Sequence, residues 1–171
     1  MDLLENLNKN EIREFFSKGW LTHDAMWYYH CLQEFGPANA NKINRAAVKS
    51  MSGIEIQRIL KLMGKDKGPI KTFMELKEII DTTYKLIQPK FMKLHYSFPE
   101  KNKFTGGFDE CFAYEGVNKF GMADIYQCGI VIRVQGWFES LGVEFVMKPV
   151  FNGCLMHTDG KCEIEFTFNL A

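Results

Sequence analysis

The chain has 171 residues, a formal net charge of zero and 46% hydrophobic residues, which suits one folded domain and excludes a disordered chain. The neutral balance argues against a nucleic-acid partner, which would need a basic surface. No run approaches the ~20 apolar residues of a membrane helix, and the first residues lack a signal-peptide pattern. We therefore expect a cytoplasmic protein with no membrane partner.

The net charge of zero is the sum of two unequal parts. Residues 1–103 hold 17 basic and 12 acidic side chains, whereas residues 104–171 hold 4 and 9. Four of the five cysteines lie in the acidic part. We divide the chain into a helical N-terminal part, residues 1–89, and an α/β metal-binding part, residues 90–171, and we expect the two to form one compact unit.

The first part has apolar residues at helical spacing. The predicted helices are Glu11–Trp20, His23–Phe35, Asn39–Met51, Ile54–Met63 and Thr72–Ile87. Asn10 and Thr22 are the expected N-caps of the first two helices. Gly36 followed by Pro37 is expected to end the second helix.

The second part mixes helical and strand periods. The predicted elements are strands at Phe91–Phe98, Val143–Val150 and Lys161–Leu170, and helices at Glu110–Phe120 and Cys128–Leu141. The last strand alternates apolar and polar residues, as a half-exposed strand of an antiparallel sheet does. The predicted fold class is α+β, with N-terminal helices followed by a small antiparallel sheet packed on helices.

Three cysteines, Cys128, Cys154 and Cys162, give the strongest chemical signal. Cysteines in a cytosolic protein are more often free thiols or metal ligands than disulfides. Cys154 and Cys162 bracket a segment that contains His157 and a Thr-Asp-Gly turn. Because Zn²⁺ takes thiolate and imidazole ligands, this pattern predicts a zinc site. The alternative is that the thiols are buried as small apolar groups.

The spacing sets a geometric condition on such a site. A tight hairpin at Thr158–Lys161 would place His157 and Cys162 on one face of the sheet and Cys154 on the other, because strand side chains alternate. A site that uses both thiols therefore needs a bulge or an irregular loop before His157.

The cysteine spacing resembles that of the 4-vinyl-reductase-type domain. Cys128 precedes Cys154 by 26 positions, seven residues separate Cys154 from Cys162, and Glu-Ile-Glu-Phe follows directly. That family is a small, often dimeric α/β domain that binds hydrophobic or aromatic molecules, in some members beside a structural zinc. The resemblance covers roughly residues 90–171. It implies that the three cysteines are metal ligands and that the protein forms a homodimer.

One position departs from this family's pattern. The sensing domains of the family carry a carboxylate three residues before the middle cysteine, where this chain has Phe151. The fourth ligand is therefore open among His157, Cys111 and a water or substrate atom. Iron, or an iron–sulfur cluster, is the alternative to zinc.

A second candidate site lies on the predicted helix at residues 23–35 and just before it. Trp20, His23, Asp24 and Trp27 combine two indoles, an imidazole and a carboxylate, which could bind an apolar ligand and donate hydrogen bonds. The alternative is that the tryptophans belong to the core. Through this motif the whole chain also resembles an uncharacterised family of prokaryotic cytosolic proteins similar to the 2-aminothiazoline-4-carboxylate hydrolases.

The preferred hypothesis is a metal-binding protein that holds a small hydrophobic or aromatic ligand next to a thiolate zinc site. A metal-dependent hydrolase, in which the metal keeps a water molecule, is the first alternative. An interaction module whose thiols belong to the core is another. The sequence leaves open whether the protein is an enzyme.

Overall fold

The computed structural model describes residues 4–65 and 68–171. A short helical turn at Leu4–Asn6 precedes the main elements. These are the helices α1 (Lys9–Leu62), α2 (Phe73–Ile87), α3 (Phe112–Lys119), α4 (Gly129–Ser140) and α5 (Leu155–Thr158), and the strands β1 (Lys93–Ser97), β2 (Lys103–Glu110), β3 (Phe145–Lys148) and β4 (Cys162–Phe168). The predicted α+β class, with helices first and an antiparallel sheet after them, is confirmed.

Helix α1 is one long, bent helix where four helices were predicted. Its N-cap is Asn8 rather than Asn10, because the Asn8 side chain accepts from the Asn10 and Glu11 backbone N–H groups while the Glu11 carboxylate accepts from the Asn8 N–H. Thr22 lies inside α1, so its predicted role as an N-cap is wrong. The predicted break at Ser52 is also absent, since the Ser52 hydroxyl donates to a carbonyl of its own helix.

The bend in α1 lies at Gly36, whose φ of 72° is in the left-handed region. It divides α1 into a first arm, residues 9–35, and a second arm, residues 37–62. Gly36 and Pro37 therefore change the direction of the chain instead of ending the helix, because Pro37 fits the first turn of the second arm without needing its missing N–H.

A buried asparagine ties this bend to the loop before α4. The Asn41 Oδ1 accepts hydrogen bonds from the Tyr28 hydroxyl (3.0 Å) and the Gln127 backbone N–H (2.9 Å). Its Nδ2 donates to the backbone carbonyls of Ile125 (2.7 Å) and Pro37 (2.9 Å). This buried amide thus fixes the two arms and the loop at residues 122–127 relative to one another.

The sheet has the strand order β1-β2-β4-β3, and all three pairings are antiparallel. Strand β2 was not predicted, because Gly106 and Gly107 indicate a turn when they are considered alone. In the sheet, a Cβ at Gly107 would collide with the carbonyl oxygen of Cys162 on β4. A glycine is therefore needed here for the close approach of two strands.

Helix α4 packs between the sheet and the second arm of α1. Gly136 allows this approach, since a Cβ there would collide with the Ser52 hydroxyl on α1. Trp137 and Phe138 on α4 are fully buried in the main core, together with Phe104 and Phe166 of the sheet. This packing joins an element of the N-terminal part to one of the C-terminal part.

Within the ranges described above, no helix combines the length and the apolar character that crossing a bilayer requires.

Candidate functional site

Four cysteine side chains line a single small cavity between the sheet and helix α4. They are Cys111, Cys128, Cys154 and Cys162. We call this space, of about 40 Å³, the inner cavity. It has room for about three water-sized groups. The rest of its lining is almost entirely apolar and includes Phe104, Phe108, Tyr126, Val131, Leu155 and Phe166. The fifth cysteine, Cys31, is buried elsewhere and does not line this cavity.

Each thiol is positioned by a different element. Cys111, Cys128 and Cys154 directly precede α3, α4 and α5, and Cys162 is the first residue of β4. Helix α5 occupies the place of the tight hairpin that would have separated Cys154 from Cys162. Because this short helix redirects the chain, both thiols face the same cavity.

Burial dominates the electrostatics of these thiols. Burial, and to a smaller extent the neighbouring thiols, raises the pKa of Cys128 to about 12 and that of Cys162 to about 12. Burial also raises the pKa of Cys111 above its ordinary value. At neutral pH and without a metal ion, these three thiols are therefore protonated. Cys154 contributes to these raised pKa values as well, to a smaller extent than burial.

Backbone N–H groups partly offset the cost of a negative charge on these sulfurs. The N–H of Val131 in the first turn of α4 lowers the pKa of Cys128, and the N–H of Phe108 has the same effect on Cys162. Cys111 and Cys128 make no complete capping hydrogen bond to their helices. The N–H groups therefore favour the thiolates without outweighing burial.

The thiols do not form a closed coordination shell as they are placed. Over residues 4–65 and 68–171, no group of three or more His, Cys, Asp or Glu side chains has the geometry of a metal site. To hold one ion, the four sulfurs would have to turn towards the centre of the cavity. A cysteine side chain can do this by rotating about its single χ1 torsion.

The structure separates the two candidates for a fourth protein ligand. Cys111 lines the inner cavity, whereas His157 does not. The Nε2 of His157 lies 2.7 Å from the Oδ1 of Asp124 at the surface, and its ring is near Tyr114. Phe151, at the position where the family has a carboxylate, adds an apolar side chain to the cavity.

A second and larger space adjoins the inner cavity. This outer cavity, of about 470 Å³, lies between the two arms of α1, helix α3 and the start of α4. Its aromatic lining consists of Trp20, Tyr28, Phe91, Phe112, Phe120 and Tyr126. Ala113, Tyr126 and Ile130 line both cavities. A single layer of side chains therefore separates the thiols from the aromatic space.

The four residues of the predicted ligand motif lie on two sides of the first arm. Trp20 and Asp24 are one helical turn apart and line the outer cavity. His23 and Trp27 do not line it and face solvent, with the His23 side chain 76% and Trp27 60% exposed. The motif alone does not distinguish these two sides, because both pairs have a spacing of four residues.

A half-buried ion pair that the sequence does not reveal lies at one end of the outer cavity. The Nε and Nη2 of Arg133 on α4 donate to both carboxylate oxygens of Glu55 on α1, which also accepts from the Trp137 Nε1. The guanidinium carbon of Arg133 lies 5.3 Å from the ring centroid of Trp20. Since Glu55 and Arg133 are 78 residues apart, no local pattern could have paired them.

The fold and these cavities define an α+β protein with a thiol-lined chamber beside an aromatic one. No known protein family matches the sequence, and no curated protein matches it either. Among solved structures, the chain is similar to trafficking protein particle complex subunit 3 from Naegleria fowleri, covalently bound to palmitic acid. The TM-score is 0.60 at 14% identity, covering 91% of this chain and 96% of that chain. This similarity shows the fold alone.

Proposed function

We propose that this protein binds one zinc ion in the inner cavity and a small hydrophobic or aromatic molecule in the outer cavity. The zinc ligands are Cys128, Cys154 and Cys162, with Cys111 as the fourth. The observation that carries the proposal is the meeting of four thiols, from four separate elements, at one apolar cavity. Four sulfur ligands match the tetrahedral preference of zinc in closed sites.

The sizes of the two cavities support this division. Sites for organic ligands usually measure roughly 300–1,000 Å³. The outer cavity, at about 470 Å³, lies in that range, whereas the inner cavity, at about 40 Å³, has room for an ion but not for an organic molecule. The aromatic lining of the outer cavity fits an apolar ring or chain.

The ligand set favours binding over catalysis. Four protein ligands leave a zinc ion no open position for a water molecule, which is typical of structural sites. Under this proposal the ion holds together the ends of α3, α4, α5 and β4, and so stabilises the wall that the two cavities share. A hydrolase would need one thiol, such as that of Cys111, to stay off the metal.

Location and assembly belong to the same proposal. A cytosolic location suits free thiols, because the cytosol keeps them reduced. A homodimer is what the resemblance to the 4-vinyl-reductase-type domain implies. Sedimentation of the purified full chain measures the assembly directly.

Elemental analysis of protein purified without chelator tests the zinc site. We expect about one zinc per chain in the native protein. Cys162→Ser and Cys111→Ser should each lose most of the metal, while Cys31→Ser, which alters the cysteine outside the cavity, should keep it. Zinc far below one per chain, even after reconstitution, would contradict the proposal, and iron in its place would favour the iron alternative.

Covalent attachment of an acyl chain is a second candidate. The observation in its favour is that the thiols lie in apolar surroundings, in a fold similar to that of a protein covalently bound to palmitic acid. The volume of the inner cavity and the raised pKa of Cys128 and Cys162 disfavour it, because the thiolate is the nucleophile. An intact mass that carries a hydroxylamine-labile acyl group would support this second candidate over zinc.

A further inference from the structure

A third space adjoins the outer cavity. This side cavity, of about 150 Å³, shares Trp20, Leu21 and Arg133 with the outer cavity. Arg13 and Glu55 also line it. Trp20, Leu21 and Arg133 therefore form the boundary between these two adjacent spaces.

The side cavity carries an uncompensated positive charge. Its lining holds two guanidinium groups and one carboxylate, and that carboxylate, Glu55, is already paired with Arg133. Arg13 forms no ion pair within the described part of the chain. Its Nη1 donates to the Lys85 carbonyl (2.8 Å) and its Nη2 to the Asn10 side chain (3.1 Å), while its Nε is buried without an acceptor.

Arg13 favours an added anion, because its guanidinium donates only to neutral oxygens and its charge is not balanced by a carboxylate. Guanidinium groups bind carboxylates through charge-assisted hydrogen bonds, which are stronger than neutral ones. A space of 150 Å³ is larger than one carboxylate group requires, since a water-sized group needs about 10–15 Å³. A carboxylate is therefore small enough to sit beside Arg13.

We infer that the ligand of the outer cavity is an amphipathic carboxylate. Its apolar body lies against the aromatic side chains of the outer cavity, and its carboxylate enters the side cavity beside Arg13. This inference rests on the proposed ligand-binding function and names the chemical class of the ligand.

Two other charged side chains that line the outer cavity act on an anion in opposite ways. Asp24 lines the outer cavity but not the side cavity, and its carboxylate repels an anion placed near it. Lys18 also lines the outer cavity, with its Nζ 5.5 Å from the ring centroid of Phe91. The negative end of the ligand is therefore best placed at Arg13 rather than beside Asp24.

Calorimetric titration of the full chain with a matched pair of probes tests this inference. 2-Naphthoate and 2-naphthamide share the aromatic body and differ in charge. We expect the carboxylate to bind about tenfold more tightly than the amide, as one charge-assisted contact allows. Equal affinities would overturn the inference while leaving the proposed ligand-binding function intact. If neither probe binds, both proposals fail.

Variants at Arg13 test whether this residue causes the preference. Arg13→Gln should reduce the preference to about twofold or less, because loss of the charge lowers the affinity for the carboxylate more than the affinity for the amide. Arg13→Lys keeps the charge and should retain part of the preference. Arg58→Gln, the same change at an exposed position of α1 outside all three cavities, is the matched control.

A full preference for the carboxylate in Arg13→Gln would contradict the role of this residue. Should Arg13→Gln fail to fold, as judged by circular dichroism, the native protein and Arg13→Lys decide the question. A native preference below about twofold then overturns the inference.

Discussion

The inner and outer cavities are neighbours with opposite chemistry. The inner cavity is small and lined by four thiols, and its volume admits an ion. The outer cavity is more than ten times larger, lined by six aromatic side chains, and accommodates an organic molecule. The comparison shows that one layer of side chains is enough to separate two chambers that differ in size and in the side chains that line them.

Tyr126 is the residue that joins the two chambers. Its ring lines both cavities and makes an edge-to-face contact with Tyr28, at a centroid distance of 5.6 Å. Its hydroxyl accepts the N–H of Gly129, the residue after Cys128 (3.2 Å). A displacement of Cys128 can therefore be passed through Gly129 to Tyr126, which forms part of the wall of the outer cavity.

The largest expected effect concerns pH and the inner cavity alone. The raised pKa of Cys128 and of Cys162, about 12 each, means that zinc must displace a proton from each thiol at neutral pH. Because the pKa of the ligand Cys111 is raised as well, zinc affinity should rise with pH by about a thousandfold per pH unit for three protons released. Competition titrations with a zinc chelator at pH 6, 7 and 8 measure this slope. A zinc affinity that does not change with pH would show that zinc does not displace protons from these thiols.

Replacing a cysteine inside the inner cavity should have a different effect from replacing a buried cysteine outside it. Cys128→Ser is expected to lose zinc and to lower the melting temperature by about 10 °C, because metal binding contributes directly to folding free energy. Cys31→Ser removes a buried thiol outside the cavity and should change the metal content very little. Equal metal content in the two variants would argue against the inner cavity as the metal site.

The hydrogen bonds that hold the bend of α1 should contribute to the free energy of unfolding. Asn41→Ala removes four hydrogen bonds that hold the two arms to the loop at residues 122–127, and leaves their partners buried. We expect a loss of about 2–4 kcal/mol in the free energy of unfolding. Urea denaturation measures it. A loss below about 0.5 kcal/mol would indicate that the bend is held by other contacts.

The two sides of the first arm offer a finer comparison. Trp20→Ala should weaken binding of an aromatic probe to the outer cavity about tenfold, because it removes a ring from the lining. Trp27→Ala alters an exposed ring outside the cavity and should leave that affinity unchanged. Fluorescence titration with 2-naphthoate measures both. A matching loss in Trp27→Ala would contradict the placement of the ligand.

The smallest expected effect separates the two candidate fourth ligands. His157→Ala should change zinc affinity by less than about twofold, because the imidazole contacts Asp124 at the surface and does not line the inner cavity. Zinc titration of this variant beside Cys111→Ser makes the comparison. Loss of zinc in His157→Ala with retention in Cys111→Ser would reverse our assignment.

Local signals predicted part of this fold well. Helices α2 and α4 each begin and end within one residue of their predicted bounds. Other local signals were overridden by packing. Thr22 has the chemistry of an N-cap, yet the helix continues through it. Gly106 and Gly107 have the composition of a turn, but both lie in β2, where strand β4 passes too close to Gly107 for a side chain.

In the candidate site, too, local sequence signals predicted some features and packing determined the others. The spacing of Cys128, Cys154 and Cys162 predicted that these three thiols lie together, and all three line one cavity. The sequence could not show that Trp20 and Asp24 line the outer cavity while His23 and Trp27 do not, since that depends on which side of α1 faces α3. The pairing of Glu55 with Arg133 depends likewise on the packing of α1 against α4.

X-ray absorption at the zinc edge of protein purified without chelator tests the central claim most directly. Our account predicts a zinc ion whose nearest neighbours are four sulfur atoms at about 2.3 Å. A spectrum dominated by nitrogen or oxygen neighbours, or protein that takes up no zinc at all, would contradict it.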